Sequence, residues 1–141
     1  MILFCDMSAL VKLYVFEDES REMEAAAGAA SAIAVCRIAW TEAVSALARR
    51  ARESPADADA IATVRERLRA DWPHYAVVEI TQPLVELAGD YADTFALRAY
   101  DSVQLAAARM LHDAAGEEVR FACFDTRLGK AARILGIPGH T

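Results

Sequence analysis

Two aspartates each end a short apolar run and precede a hydroxyl residue. Asp6 ends the apolar run at the start of the sequence, with Ser8 two residues on. Asp125 ends the run 119–124 and is followed by Thr126. A carboxylate at the end of a buried strand is costly unless a cation or hydrogen bonds receive it. Open α/β sheets bind ligands at the carboxyl ends of their strands, so both aspartates are candidates for a site.

Two further acids lie on or beside apolar stripes of predicted helices. Glu42 lies one turn after Ile38, and Asp101 lies one turn before Leu105. Each of the four acids alone has a structural explanation, such as capping a helix, favouring its dipole or pairing on its surface. Capping does not explain four acids aimed at one edge of a sheet, where they would repel one another in a low-dielectric cleft.

Four converging carboxylates require a cation, and the residue types indicate which one. Mg²⁺ and Mn²⁺ prefer carboxylate and water oxygens, whereas no His or Cys joins this set to favour zinc. Such ions can activate a water and stabilise in-line displacement at a phosphodiester. They also reverse the local charge, which lets a protein with a net charge of −6 receive a polyanion. The pattern therefore predicts a Mg²⁺ or Mn²⁺ site.

The elements that must position these acids alternate between strands and helices. Strand-like runs lie at 1–5, 32–36, 75–80 and 119–124, with a brief final strand at 137–138. Helical patterns lie at 9–16, 21–30, 37–52, 54–72, 84–91, 100–115 and 127–135, with Ser8, Thr81 and Thr126 as predicted caps. No tight hairpin signal separates the strands. This order predicts an α/β fold, an α/β/α sandwich with a short central parallel sheet.

Length and composition favour one domain over residues 1–141, with a core of ordinary size. An apolar content of 55% with 26% charged residues argues against disorder. The three cysteines are widely spaced in apolar surroundings, which favours small buried side chains over disulfides or a zinc site. No apolar run reaches the length of a membrane span, and no signal peptide is recognisable, so we expect a cytoplasmic protein with no membrane partner.

Four stretches resemble, in order and spacing, the successive motifs of PIN-domain nucleases. They are DMSALVKLY at 6–14, TEAVSAL at 41–47, LRAYDSVQLA at 97–106 and FDTRL at 124–128. Within that family the likeness is to VapC-type toxins of bacterial toxin–antitoxin pairs. The resemblance implies a Mg²⁺- or Mn²⁺-dependent endoribonuclease on an α/β/α fold.

The resemblance also implies roles for individual residues. The acidic quartet would be Asp6, Glu42, Asp101 and Asp125, supported by the hydroxyls of Ser8 and Thr126. Asp6 and Asp101 would be the primary metal ligands, and Asp125 would complete the site. Glu42 would hold a second ion or a bound water. Ser8 and Thr126 would orient carboxylates or water by hydrogen bonds.

The partners implied by the resemblance are an RNA substrate, a second copy in a homodimer, and a cognate antitoxin that covers the active-site groove. Arg37, Arg98 and Arg127 lie near the motifs and are candidates for contacts with RNA phosphates. Cys36 stands where the family often has Ser, which changes a helix cap and leaves the acids intact. Nothing in the sequence selects among tRNA, rRNA and mRNA.

Two alternatives remain open at this point. A phosphohydrolase of the haloacid-dehalogenase type would use Asp6 as a nucleophile, but that family resembles Asp-x-Asp after the first strand, and Ser8 occupies the second position here. A non-catalytic module could keep the PIN fold for binding alone. The presence of all four acids argues against that module.

Overall fold

A computed structural model describes residues 1–141, in which four strands alternate with seven α-helices. The strands are β1 (Ile2–Cys5), β2 (Ala32–Cys36), β3 (Ala76–Val78) and β4 (Val119–Ala122). The helices are α1 (Met7–Lys12), α2 (Ser20–Ala29), α3 (Ala39–Glu53), α4 (Ala58–Asp71), α5 (Gln82–Phe95), α6 (Ala99–Ala114) and α7 (Thr126–Ile134). Short 3₁₀ turns at Pro55–Asp57 and Trp72–His74 flank α4.

All strand pairs are parallel, and the order across the sheet is β3-β2-β1-β4. Phe4 of β1 pairs with Ala34 of β2 on one side and with Phe121 of β4 on the other. Because the strands run in one direction, their carboxyl ends lie at one edge of the sheet. Asp6 and Asp125 both follow strands at this edge, as predicted.

Side chains alternate between the two faces of β1 and contribute to two separate cores. Phe4 joins the core shared with α5, α6 and α7, where its ring meets Phe121 edge-on at 5.5 Å. Leu3 and Cys5 join the core shared with α1, α2, α3 and α4. Helices thus cover both faces of a parallel sheet, which confirms the predicted α/β/α fold.

The helix starts near the predicted site differ from the sequence expectation. We expected Ser8 and Thr126 to cap the helices that follow, but the N-caps are Asp6 and Asp125. Each aspartate accepts a hydrogen bond from the backbone amide three residues later, which begins the helix earlier than predicted. Thr81 caps α5 as predicted, through a 3.4 Å bond from the amide of Leu84.

Two further expectations concern a final strand and a membrane span. The strand predicted at 137–138 is reduced to a single parallel bridge between Gly139 and Phe121, beside the hydrogen bond from the Phe121 amide to the Pro138 carbonyl. None of the helices combines the length and the apolar content that crossing a bilayer requires.

Candidate active site

Asp6 lies directly beyond β1 in the middle of the sheet and is only 6% exposed. Its Oδ1 accepts from the Ser8 hydroxyl at 2.7 Å and from the Ala9 amide at 3.0 Å. The Ser8 hydroxyl also accepts from the amide of Phe124 at 3.3 Å, which ties the start of α1 to the segment after β4. Both side-chain hydrogen bonds of Asp6 use Oδ1, so Oδ2 is left for another partner.

Glu42 reaches the same edge from the first turn of α3, in the helical layer on one face of the sheet. Its Oε1 accepts from the Gln104 side-chain amide at 2.6 Å. Gln104 belongs to α6, in the layer on the opposite face. This bond therefore joins two helical layers just beyond the ends of the strands.

Asp101 lies in the first turn of α6, one turn before Gln104. Its Oδ2 is 3.4 Å from Nε of Arg98, whose side chain is 85% exposed. An ion pair with such an exposed arginine is weak, because solvent screens the charges and the side chain loses freedom.

Asp125 lies with Asp101 on the wall of a cavity of about 560 Å³ at the end of β4. Its Oδ1 caps α7 by accepting from the Leu128 amide at 2.8 Å. Arg98 and Arg127 line the same cavity, and Nη1 of Arg127 donates to the Ala96 carbonyl at 3.1 Å. Thr126 is exposed in the first turn of α7, and its hydroxyl forms no hydrogen bond.

Arg37 stands apart from these acids. Its guanidinium pairs with the exposed carboxylate of Glu79, with Nε 3.2 Å from Oε2. Arg37 follows β2 and borders a different cavity, lined also by Trp40 and Trp72. Of the three arginines expected near RNA, Arg98 and Arg127 lie beside Asp101 and Asp125.

The electrostatics of Asp6 show that its charge is poorly compensated. Burial raises the pKa of Asp6, the hydrogen bonds from Ser8 and Ala9 lower it, and the nearby charges of Glu42 and Asp101 raise it, so that the pKa is about 7 in all. Burial likewise raises the pKa of Glu42, as does the charge of Asp101. No lysine or arginine forms an ion pair with Asp6 or Glu42. The structure thus brings Asp6, Glu42 and Asp101 within electrostatic reach of one another.

The carboxylate oxygens of the site suit a hard divalent cation, although protein side chains alone do not complete the coordination shell of such an ion. No three Asp, Glu, His or Cys side chains stand close enough together to hold a metal ion in this arrangement. Mg²⁺ commonly keeps several waters and takes one or two carboxylates, so a site of this kind does not need three. Uncompensated negative charge on a buried carboxylate oxygen is the chemistry that such a cation relieves.

Gln104 is the residue of this site that sequence reasoning missed. It is 1% exposed, and its Oε1 is the one buried side-chain oxygen or nitrogen without a hydrogen-bond partner. A signal was present, because Gln104 interrupts an apolar stretch of α6 three residues after Asp101. A buried amide is costly unless it has a partner, which is here Glu42.

Comparison with solved structures shows proteins of similar fold. The chain resembles a chain of the toxin–antitoxin complex from Klebsiella pneumoniae at 18% identity and a TM-score of 0.68, covering 100% of this chain and 98% of that chain. It also resembles PAE2754 from Pyrobaculum aerophilum at 18% identity and a TM-score of 0.65, covering 93% and 79%. Identities this low establish similarity of fold. No curated protein matches the chain.

Family membership rests on a match that covers almost the whole sequence. Residues 3–134 match the PIN domain, and this range includes all four acids, every helix and all the strands except the first residue of β1. The chain belongs to the PIN domain family.

Proposed function

We propose that this protein is a Mg²⁺- or Mn²⁺-dependent endoribonuclease and the toxin of a toxin–antitoxin pair. Proteins with PIN domains are generally nucleases that use divalent metals. The observation that carries the proposal for this chain is the buried Asp6 carboxylate, which lies near the charges of Glu42 and Asp101 without a cation of its own. A divalent ion would resolve that electrostatic conflict.

Each of the four acids would have its own role in the site. Asp6 and Asp101 would be the primary ligands, Asp125 would complete the site, and Glu42 would hold a second ion or a bound water. Ser8 fixes Asp6 Oδ1 by its 2.7 Å hydrogen bond, which leaves Oδ2 free. When bound, the metal supplies a more acidic water and stabilises charge on the phosphodiester.

The arginines that line the cavity beside the acids would bind the phosphates of the RNA. Arg98 and Arg127 line the cavity of about 560 Å³ that also contains Asp101 and Asp125. The guanidinium group binds phosphate oxygens in a bidentate manner, and Arg98 is free to turn because its side chain is 85% exposed. Arg37 would contribute less, because it is paired with Glu79 away from this cavity.

The direct test is cleavage of total RNA by the purified protein with Mg²⁺, with Mn²⁺ and with EDTA. We expect cleavage with either ion, none with EDTA, and recovery when the ion is restored. Asp101→Asn should reduce the rate at least 100-fold because it removes a proposed ligand charge. Asp90→Asn is the matched control, since Asp90 is exposed on α5 and forms no ion pair. Full activity of Asp101→Asn would contradict the proposed site.

The role as a toxin is supported by the similarity of fold to a chain of the toxin–antitoxin complex from Klebsiella pneumoniae. Induction in growing cells should arrest growth, and Asp101→Asn should not. Coexpression of the reading frame immediately upstream should restore growth if it encodes the antitoxin. Light scattering during size exclusion should give twice the chain mass of 15.3 kDa for the expected homodimer. Rapid growth with active ribonuclease in the cell would favour a housekeeping enzyme instead.

A further inference from the structure

A further cavity, lined in part by Glu42, lies between α1, α3 and the start of α6. It has a volume of about 340 Å³, within the range of small-molecule sites. Met7, Ile38 and Ala46 supply apolar surface, while Glu42, Arg49 and Tyr100 supply the chemically distinctive groups. The cavity therefore combines an acid of the proposed site, a cation and an aromatic ring.

Tyr100 is unusual because it is a large exposed ring beside an acid of the proposed site. Its side chain is 62% exposed, and it directly precedes Asp101. The other large exposed apolar residues are Phe16, Ile80, Val85 and Ile134, none of which adjoins an acid of the site in sequence. An exposed aromatic ring offers a face on which any nucleobase can stack, and stacking does not require a particular base.

Arg49 is the arginine of this cavity, and its guanidinium has no partner within the protein. Six of the thirteen arginines form an ion pair with a carboxylate, namely Arg37, Arg50, Arg69, Arg98, Arg109 and Arg120. Arg49 forms no ion pair or side-chain hydrogen bond and is exposed. It lies seven residues after Glu42, which places it on the same face of α3 at about 10 Å along the helix axis.

We propose that this cavity binds one nucleotide of single-stranded RNA next to the bond that is cleaved. The base stacks on Tyr100 and the phosphate pairs with Arg49. The proposal rests on the proposed ribonuclease function and names a subsite of it. Proteins recognise single-stranded RNA by stacking its unpaired bases on aromatic side chains while arginines bind its phosphates. The apolar surface of Met7, Ile38 and Ala46 would exclude water from the base.

The test measures binding of a fluorescent single-stranded RNA by anisotropy, in an Asp6→Asn background so that the RNA stays intact. Tyr100→Leu should weaken binding about 5- to 150-fold, the range expected for loss of one stacked base. Tyr100→Phe should bind as well as the parent, because its ring keeps the stacking face. A series of RNAs with one abasic nucleotide at successive positions locates the base. At one position the abasic RNA should bind equally to the parent and to Tyr100→Leu.

The role of Arg49 is tested by the dependence of binding on salt. Arg49→Met should weaken binding and reduce the slope of log K against log salt by about 0.7, the value for one phosphate contact on a single strand. Arg49→Lys should keep most of that slope. Arg52→Met is the matched control, because Arg52 is an unpaired arginine of α3 outside the cavity.

Failure of the subsite and failure of the proposed function give different results. If the Asp6→Asn protein does not bind RNA and the unsubstituted protein does not cleave it, the proposed function is wrong. The subsite is wrong if the Asp6→Asn protein binds RNA but Tyr100→Leu weakens its binding of every abasic RNA as much as its binding of the intact RNA. It is also wrong if Tyr100→Leu weakens the binding of none of these RNAs. If Tyr100→Leu leaves RNA binding unchanged and weakens only a coexpressed protein partner, the cavity binds protein and the subsite is again wrong. Tyr100 and Arg49 are exposed, so their variants should unfold at the parent's temperature.

Discussion

The Ser8 hydroxyl lies 2.7 Å from Asp6 Oδ1 and donates a hydrogen bond to it, while accepting another from the Phe124 amide. One side chain therefore fixes the central carboxylate relative to both β1 and the segment that follows β4. The bond favours the charged form of Asp6 and opposes the effect of burial on its pKa.

Ser8→Ala should consequently lower the free energy of unfolding by about 1–2 kcal/mol at neutral pH, since a hydrogen bond to a charged group is lost. The pKa of Asp6 should rise above its value of about 7. Urea unfolding and a carboxyl-detected NMR titration measure the two effects. Ser54→Ala is a matched control, because Ser54 is exposed and its side chain forms no capping bond. An unchanged Asp6 pKa in Ser8→Ala would show that the hydroxyl does not act on the carboxylate.

The metal-free protein should lose stability as the pH rises through the range in which Asp6 ionises. The pKa of Asp6 in the folded protein, about 7, lies above the ordinary value of about 3.9 in an unfolded chain. The folded state therefore binds the proton more tightly, and the free energy of unfolding falls between about pH 4 and pH 7 by at most about 1.4 kcal/mol per unit. Below about pH 4 both states are protonated and this contribution is fully present.

The comparison that isolates this effect is the parent against Asp6→Asn in EDTA, because other carboxylates titrate with the opposite sign. Arg109 and Arg37 hold the pKa values of Asp113 and Glu79 below their usual range. Their contribution cancels in the difference between the two proteins. The stability of Asp6→Asn relative to the parent should increase with pH over this interval, measured by urea unfolding. A difference independent of pH would mean that Asp6 ionises normally.

Divalent cations should stabilise the folded protein if the acids hold them. Binding to the folded state alone adds about 2.7 kcal/mol to the free energy of unfolding when the ion is at 100 times its dissociation constant. We expect this gain from Mn²⁺ in the parent and in Asp90→Asn, and its loss in Asp6→Asn and Asp101→Asn. Thermal unfolding with increasing Mn²⁺ measures it without any substrate. Equal stabilisation of all four proteins would place the ion elsewhere.

The hydrogen bond between Gln104 and Glu42 should act on metal binding more than on stability. Gln104→Met removes the donor at 2.6 Å and also the buried Oε1 that has no partner. Water can replace the amide at Glu42, which is half-buried, so we expect a change in unfolding free energy within about 1 kcal/mol. The affinity for Mn²⁺, followed by electron paramagnetic resonance, should fall about 10- to 100-fold as Glu42 loses its fixed orientation.

Gln82→Met is the matched control, because Gln82 is exposed in the first turn of α5. Gln104→Glu provides a second, opposite test. It places a buried carboxylate against Glu42, so it should destabilise the protein strongly at neutral pH and much less near pH 4, where the two groups share a proton. If Gln104→Met binds Mn²⁺ like the parent, Gln104 is a core residue only.

Asp125 has a structural role as a helix cap that can be separated from a role in the site. Asparagine caps a helix as well as aspartate does, so Asp125→Asn should keep the stability of α7 while removing the charge. Asp125→Ala should cost about 1 kcal/mol of unfolding free energy. Both variants should lose RNA cleavage if the charge matters. Thr81→Ala, which removes the cap of α5 away from the acids, should lose stability but keep cleavage.

Much of the architecture follows from local patterns in the sequence. Short apolar runs at 1–5, 32–36, 75–80 and 119–124 predict the four strands, and the helices between them predict parallel pairing. The positions of Asp6 and Asp125 after two such runs predict that both reach one edge of the sheet. These predictions succeed because apolar runs and helical periodicity are patterns formed by residues that are neighbours in the sequence.

The helix starts were less accurate because two candidate caps lie within two residues of each other. Serine and threonine are good caps, but so is aspartate, and the geometry of the preceding strand decides which side chain meets the free amides. Asp6 and Asp125 occupy that position here, two residues before Ser8 and one residue before Thr126 respectively.

By itself the sequence determined the fold class, the family motifs and the acids that are candidates for the site. Only the tertiary structure decided the strand order β3-β2-β1-β4, the burial of Asp6 at the centre of that order, and the bond from Gln104 to Glu42. It also brought Arg49 and Tyr100 to one cavity from helices far apart in sequence. The physical reason is that pairing, burial and electrostatic coupling depend on distances between segments, which local patterns do not contain.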